Sequence, residues 1–318
     1  MSIPYDPKMI EVKNISKSYG EVQALKGISF DVRKGELFGL IGPDGAGKTT
    51  LMRILTTLLV ADSGSAKMDG MDVVKDFRRI RQIVGYMPGR FSLYQDLTVE
   101  ENLRFFATVF GTSIAENYEL IRDIYGQIEP FKARLAGKLS GGMKQKLALS
   151  CALIHKPGIL ILDEPTTGVD AVSRKEFWEM LRNLKQQGIS ILVSTPYMDE
   201  AVLCDRVALI QKGELLAIDT PSRVVEGYRR MLLAVRSDEM FRLIGDLRKW
   251  EKTGTAYAFG QYLHFTSKND EVEASELERY LLGKNHAQLQ VTEIAPGIED
   301  VFMDLMSGSG EEVVSRKS

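Results

Sequence analysis

This chain of 318 residues has no long apolar run, no marked excess of one charge and only two cysteines. No apolar run approaches the roughly 18 residues that span a bilayer, and the first eight residues contain no apolar stretch of the signal-peptide type. Lys and Arg number 41 against 43 Asp and Glu, whereas proteins that bind bulk nucleic acid usually show a basic excess. The sequence therefore predicts a cytosolic protein with no nucleic-acid partner, which reaches a membrane only through other proteins.

The two cysteines, Cys151 and Cys204, lie in apolar periodic segments, which predicts buried free thiols. Hydrophobic residues make up 44% and charged residues 26% of the chain, the balance of a soluble globular protein. The length is enough for two ordinary domains or one large one.

A glycine-rich loop lies between a predicted buried strand, Gly35–Ile41, and a stretch with helical spacing, Leu51–Leu59. Strand, glycine-rich loop and helix, in that order, are the context of a phosphate-binding loop. The loop consists of Gly42, Pro43, Asp44, Gly45, Ala46, Gly47, Lys48, Thr49 and Thr50.

This loop matches the pattern Gly-x-x-x-x-Gly-Lys-Thr, which binds the phosphates of ATP. Glycines allow closely spaced backbone N–H donors, and the following helix points its positive end at the phosphates. We expect Lys48 to bridge the β- and γ-phosphates and the Thr49 hydroxyl to ligate Mg²⁺.

Two carboxylates follow a second apolar run, Ile159–Leu162, which by its length and flanks predicts a buried parallel strand. Ligands of open α/β sheets bind at the carboxyl ends of strands. Asp163 is therefore predicted to hold Mg²⁺, and Glu164 to orient or deprotonate the attacking water as the catalytic residue.

A third motif lies just before a predicted helix, about twenty residues ahead of the Asp-Glu pair. A Ser-Gly-Gly turn at a helix N-terminus can hold an anion, although by itself it could be a helix cap. Its residues are Leu139, Ser140, Gly141 and Gly142.

Strands alternating with helices predict an α/β fold with a largely parallel sheet covered on both faces. A strand is predicted over Met9–Asn14, and Thr98 with Glu101 forms a capping box that opens a helix. The predicted ATP-binding domain covers residues 1–226, with a helical subdomain at about 89–155. Residues 227–306 follow the order βαββαβ of a small ferredoxin-like α+β domain, and 307–318 are predicted to be a disordered tail.

The phosphate loop, the Ser-Gly-Gly motif, the Asp-Glu pair and Gly168-Val169-Asp170 resemble the ATPase domain of ABC transporters in order and spacing. The resemblance covers roughly Met9 to Arg223. It implies a P-loop NTPase fold and a head-to-tail dimer, with ATP held between one chain's phosphate loop and the other chain's Leu139–Gly142 signature. It also implies membrane permease subunits as partners, Tyr19 stacked on adenine, and Asp170 reaching across the dimer.

The segments Lys144-Gln145-Lys146 and Pro296–Phe302 resemble the drug-exporter branch of this family, of the daunorubicin-resistance kind. That branch implies an exporter subunit on the inner face of the cell membrane. Two rival hypotheses remain: a soluble ABC-type ATPase that acts on ribosomes or DNA, and an ATP-sensing structural subunit that does not hydrolyse. The first rival usually has two ATPase modules, long coiled coils or zinc motifs, none of which this sequence shows.

Two positions depart from the family pattern. Gly89 stands where Gln normally follows Tyr-Met-Pro, and Pro196 stands where the family has His. Proline offers neither a side-chain donor nor a backbone N–H. The resemblance implies that both missing groups act at the γ-phosphate, so the chain's own ATP site is predicted to be impaired. A second, different ATPase chain is then the expected dimer partner.

Overall fold

The computed structural model describes residues 7–89, 93–268 and 272–306. The contacts of the chain divide it after Pro221 into two compact units. The predicted boundary at residue 226 is the last residue of the helix Pro221–Glu226, which straddles this division. The predicted tail, 307–318, lies outside the described residues. In the part of the chain that is described, no helix is both long and apolar enough to cross a membrane.

The N-terminal unit combines two sheets with a helical region. Its elements, in chain order, are β1 (Lys8–Tyr19), β2 (Val22–Arg33), β3 (Leu37–Ile41), α1 (Lys48–Leu55), β4 (Ser63–Met68), β5 (Met71–Asp72), α2 (Phe77–Ile83), β6 (Val84–Met87), α3 (Val99–Val109), α4 (Ile114–Tyr125), α5 (Gly141–Leu153), β7 (Ile159–Asp163), α6 (Ala171–Gln186), β8 (Ser190–Thr195), β9 (Arg206–Gln211) and β10 (Glu214–Asp219). The helix Pro221–Glu226 is α7.

The larger sheet has the strand order β10-β9-β3-β8-β7-β6. Its strands run parallel except β10, which pairs antiparallel with β9. Every residue of β3, β7 and β8 is buried, as expected of strands covered on both faces. The predicted α/β fold with a largely parallel sheet is thus confirmed.

The second sheet is antiparallel, with the order β2-β1-β4-β5. Only Met9–Asn14 of it is predicted from the alternation of apolar and polar residues, yet β1 continues to Tyr19 and pairs with an equally long β2. The pairing register shifts between Val12 and Ile15, and Gly27 in β2 has φ of 73°. Such irregularities break the period of two that marks a strand in the sequence.

The helical region lies between β6 and β7. The predicted capping box is present at the start of α3, where Thr98 accepts from the Glu101 amide and Glu101 accepts in return. A second capping box, Ser113 with Glu116, opens α4. Residues 90–92, at the beginning of the predicted subdomain, lie outside the described residues.

The C-terminal unit is a four-stranded antiparallel sheet with the order β12-β13-β11-β14. Its elements are β11 (Leu233–Arg236), α8 (Met240–Lys249), β12 (Thr253–Phe259), β13 (Tyr262–Ser267), α9 (Ala274–Gly283), β14 (Gln290–Glu293) and α10 (Ile298–Met306). Leucines of α8 and α9 pack with those of β11 and β13 in one buried cluster. The βαββαβ order predicted from the sequence therefore forms a ferredoxin-like unit.

Both cysteines are buried free thiols, as predicted. Burial raises the pKa of the Cys151 thiol and of the Cys204 thiol. The thiolate, which is the reactive form, is therefore disfavoured at both positions.

Candidate functional site

The site is built where three neighbouring parallel strands end. Ile41 at the end of β3 lies opposite Thr195 at the end of β8, and Asp163 at the end of β7 lies opposite Ser194. Because parallel strands present their carboxyl ends at one edge, the loops that follow β3, β7 and β8 meet there.

The phosphate loop follows β3 and leads into α1, and its glycines are required by space and conformation. A Cβ at Gly42 would lie 2.1 Å from the carbonyl oxygen of Ile210, and one at Gly47 would lie 2.5 Å from that of Ala24. Gly47 also has φ of 107°, which other residues rarely adopt. Asp44 and Gly45 are exposed at the open side of the loop, whereas Ala46 is buried.

Lys48, the first residue of α1, has a buried side chain whose ammonium group contacts three oxygen atoms. Its Nζ donates to the carbonyl oxygens of Gly42 at 2.7 Å and Pro43 at 3.0 Å. It also forms an ion pair with Glu164 Oε1 at 3.0 Å. The predicted phosphate-binding cation and the predicted catalytic base are therefore direct neighbours.

Glu164 is held in an unusual backbone conformation, with φ of 50°. Its amide donates to the hydroxyl of Ser194 at 3.0 Å and to the backbone oxygen of the same residue at 3.1 Å. A non-glycine residue in the left-handed region costs roughly 1–3 kcal/mol and persists only where its surroundings fix it. The β8 end thus sets the direction in which the Glu164 carboxylate leaves the sheet.

Asp163 is buried and has one carboxylate oxygen to spare. Ser194 Oγ donates to Asp163 Oδ1 at 2.7 Å, while no hydrogen bond from the described residues reaches Oδ2. Burial and the nearby Asp163 carboxylate raise the pKa of Tyr86 to about 12, so this phenol stays protonated at neutral pH. A free carboxylate oxygen and the Thr49 hydroxyl, one residue beyond Lys48, are the oxygen donors that suit Mg²⁺.

The signature residues lie on another part of the unit. Ser140 is the N-cap of α5 and accepts from the Met143 amide at 3.3 Å. Leu139 is buried, while Ser140 and Gly141 are exposed. A Cβ at Gly142 would lie 2.6 Å from Ser173 Oγ, so glycine is needed where α5 approaches α6. A Cβ at Gly141 would lie 3.6 Å from the carbonyl oxygen of Gly168, in the segment before α6.

The sequence profile described as ABC transporter matches residues 25–167. A Nod factor export ATP-binding protein of Rhizobium sp. is 34% identical over 300 residues, which cover 93% of this chain and 96% of the relative. The chain belongs to the ABC transporter family of ATP-binding proteins.

Two further similarities concern the ATP-binding unit. The probable multidrug ABC transporter ATP-binding protein YbhF of Escherichia coli is 44% identical over 216 residues, or 67% of this chain. The match spans only 37% of the length of that relative. A dimeric structure of the ATP-binding cassette MJ0796, in a post-hydrolysis state bound to ADP and Pi, aligns with a TM-score of 0.61 and 25% identity. The alignment covers 67% of this chain and 98% of that cassette.

The two residues that depart from the ABC pattern both lie at this site. Pro196 directly follows Thr195, the last residue of β8. Gly89 follows β6, and a Cβ there would lie 2.9 Å from the carbonyl oxygen of Asp163. In this conformation the chain at position 89 leaves no room for a side chain without a local shift.

Two other residues predicted from the ABC resemblance occupy exposed turns. Tyr19 ends β1 beside the turn at Gly20, and the residue is 47% exposed, so it is available to stack on a planar group. Asp170 is the exposed N-cap of α6 and accepts from the amides of Val172 and Ser173. Hydrogen bonds from Ser173 hold the pKa of Asp170 below its usual value.

Sequence reasoning missed the polar residues that support the carboxylates. Ser194 bonds both Asp163 and Glu164, and Glu200 accepts from Thr166 at 3.1 Å and from Thr195 at 2.5 Å. The sequence offered one indication of these bonds, the pair Ser194-Thr195 at the end of an apolar run. Buried hydroxyls at that place need hydrogen-bond partners, and residues at the ends of neighbouring strands can supply them.

Proposed function

We propose that the chain is the ATP-binding and ATP-hydrolysing subunit of an ABC exporter, which drives separate membrane permease subunits from the cytoplasmic side. The observation that carries the proposal is the meeting of Lys48 with Glu164 at 3.0 Å, beside Asp163 at the same strand edge. The names of the multidrug and Nod factor export relatives support an exporter.

The residues of the site divide the work of hydrolysis. Backbone amides of the phosphate loop and the Lys48 ammonium bind and orient the β- and γ-phosphates of ATP. Glu164 orients the attacking water and accepts its proton. Asp163 and Thr49 would hold Mg²⁺, which neutralises charge on the phosphates.

The second half of each site comes from another chain in this proposal. The exposed N-terminus of α5, with Ser140 and Gly141, carries N–H donors suited to an anion. A head-to-tail dimer would place these donors against the nucleotide held by the phosphate loop of the other chain. The MJ0796 cassette, similar in fold, is described as a dimer.

The chain's own ATP site is, in this proposal, the weaker one of an asymmetric pair. Pro196 supplies no donor at the end of β8, and Gly89 supplies no amide side chain beside Asp163. Losing one electrostatic contact to a reacting group typically costs about 10²- to 10³-fold in rate. A different ATPase chain that carries the missing Gln and His is therefore the proposed partner.

Phosphate release by the purified chain, alone and with its co-purified membrane complex, tests the proposal. We expect tight ATP binding with slow hydrolysis by the chain alone, and faster hydrolysis in the complex that Glu164→Gln abolishes. Pro196→His should raise the rate of the chain alone. It is a cleaner test than Gly89→Gln, because a new Cβ at position 89 would press on the Asp163 carbonyl.

Two results would count against parts of this proposal. Brisk hydrolysis by the unmodified chain alone would show that Gln and His are dispensable, and would remove the case for an asymmetric pair. ATP binding with no hydrolysis in any assembly would favour the ATP-sensing structural subunit instead.

A further inference from the structure

A buried carboxylate, Glu200, links the two segments that carry the γ-phosphate end of the site. Its Oε2 accepts from the hydroxyl of Thr166 at 3.1 Å and from that of Thr195 at 2.5 Å. Both threonines and Glu200 are buried. Thr166 lies two residues after Glu164, and Thr195 lies directly before Pro196.

The turn that carries Glu164 is fixed from both sides. On one side the Glu164 amide bonds Ser194. On the other side the backbone oxygen of Glu164 accepts from the Thr167 amide at 3.2 Å. The backbone oxygen of Thr166 likewise accepts from the Val169 amide at 3.2 Å. The Glu200 bond to Thr166 pins this turn to the end of β8. A left-handed residue such as Glu164 needs this kind of support.

The second carboxylate oxygen of Glu200, Oε1, is buried and has no hydrogen-bond partner among the described residues. The same is true of the indole Nε1–H of Trp178. Trp178 and Glu200 line one cavity of about 230 Å³, together with residues of α6 and the segment after β8. Oε2 therefore carries the hydrogen bonds that Glu200 makes with the two segments.

We propose that Glu200 is a positioning residue for Glu164, acting through Thr166 and Thr195. The proposal rests on the function proposed above, since Glu164 must be the base for its position to matter.

The rate of phosphate release by the full chain, measured under single-turnover conditions, tests the positioning role. Thr166→Val removes one hydroxyl bond to Glu200 while keeping the shape of the side chain. We expect the rate constant to fall about tenfold with the KM for ATP unchanged, a smaller loss than the 10²-fold that a 1 Å misplacement can cause. Glu200→Ala should lower it at least as much, and Glu200→Gln, which keeps one acceptor oxygen for the threonines, should largely restore it.

A matched control and a reference variant distinguish failure of the positioning role from failure of the proposed function. Thr266→Val removes the hydroxyl of a buried threonine in the C-terminal unit, which bonds Thr255, and should leave the rate constant unchanged. If Glu164→Gln is inactive while Thr166→Val and Glu200→Ala match the wild type, the positioning role is wrong and the proposed function stands. If Glu164→Gln hydrolyses as fast as the wild type, both are wrong. A changed KM with an unchanged rate constant also overturns the positioning role.

Discussion

At the scale of single residues, the ion pair between Lys48 and Glu164 is expected to influence the affinity of the site for ATP. In the structure the ammonium has the carboxylate at 3.0 Å and two backbone oxygens as partners. A phosphate that binds Lys48 competes with Glu164 for the same cation. The charge of residue 164 should therefore affect ATP affinity as well as catalysis.

We expect Glu164→Gln to tighten ATP binding, because a neutral amide competes less with phosphate for Lys48, and to abolish hydrolysis. Lys48→Ala should weaken binding about 10- to 100-fold, the range expected for a lost hydrogen bond to a charged group. Titration calorimetry with ATP measures both. Exposed residues serve as matched controls, Glu119→Gln and Lys252→Ala, and neither should change the affinity. An affinity of Lys48→Ala equal to that of the wild type would contradict the assignment of the phosphate loop.

The residues of the proposed ATP site were predicted from the sequence because their chemistry requires a fixed local pattern. Lys48 and Thr49 follow from the loop spacing, and Glu164 follows from its place after an apolar strand. The bonds of Ser194 to Asp163 and Glu164, and of Glu200 to Thr166, were not predictable, because these partners lie 30 or more residues apart along the chain. No local pattern records a hydrogen bond across the ends of neighbouring strands.

At the scale of elements, the approach of α5 to α6 depends on one glycine. A Cβ at Gly142 would lie 2.6 Å from Ser173 Oγ and 2.9 Å from Ser173 Cβ. We expect Gly142→Ala to destabilise the chain by about 1–3 kcal/mol, the usual cost of overpacking. Thermal unfolding measures it, and Gly141→Ala is the control because its Cβ would lie 3.6 Å from the nearest atom. A double variant with Ser173→Gly should recover most of the loss, and no recovery would locate the strain elsewhere.

In the C-terminal unit, Asp300 ties α10 to the sheet. Burial raises the pKa of its carboxyl, but hydrogen bonds from His264, Tyr257 and the Gly297 amide outweigh burial and hold the pKa of Asp300 below its usual value. The folded unit therefore binds this proton less readily than the unfolded chain does. The stabilisation is complete above the usual aspartate pKa of about 4 and is lost as the pH falls below it.

We expect the difference in unfolding free energy between the wild type and Asp300→Asn to shrink as the pH falls from about 6 to about 3. Urea unfolding can be followed by Trp250, whose ring stacks on Phe265 and Tyr280 within this unit. The exposed Asp238, changed to Asn, is the control and should show a constant difference. A constant difference for Asp300→Asn as well would mean that its carboxylate contributes nothing specific.

Strand prediction succeeded or failed according to how regular each strand is. β7 covers the predicted run Ile159–Leu162 because each of those residues is apolar and buried. The antiparallel sheet was largely missed because β1 and β2 contain register shifts. A bulge moves side chains to the other face partway along a strand, so the alternation that would reveal it is lost.

At the scale of the whole molecule, the two units have separate cores. The N-terminal cluster is built from residues between Met9 and Ile210, and the C-terminal cluster from residues between Leu233 and Leu281. We expect a chain that ends at Gly227, after α7, to fold and to bind ATP with the affinity of the full chain. Circular dichroism and ATP titration measure this, and aggregation of the shortened chain would show that its core needs the second unit.

The burial of both sulfur atoms has a practical consequence for testing the proposed dimer and following its motion. Cys151 and Cys204 are shielded and their thiols resist ionisation, so a maleimide dye at neutral pH should leave the native chain unlabelled. A single new cysteine on the exposed surface of α4, for example in place of Glu119, would then be the only labelled position. Distances between dyes on two such chains could be recorded through each round of ATP turnover without first removing the native cysteines.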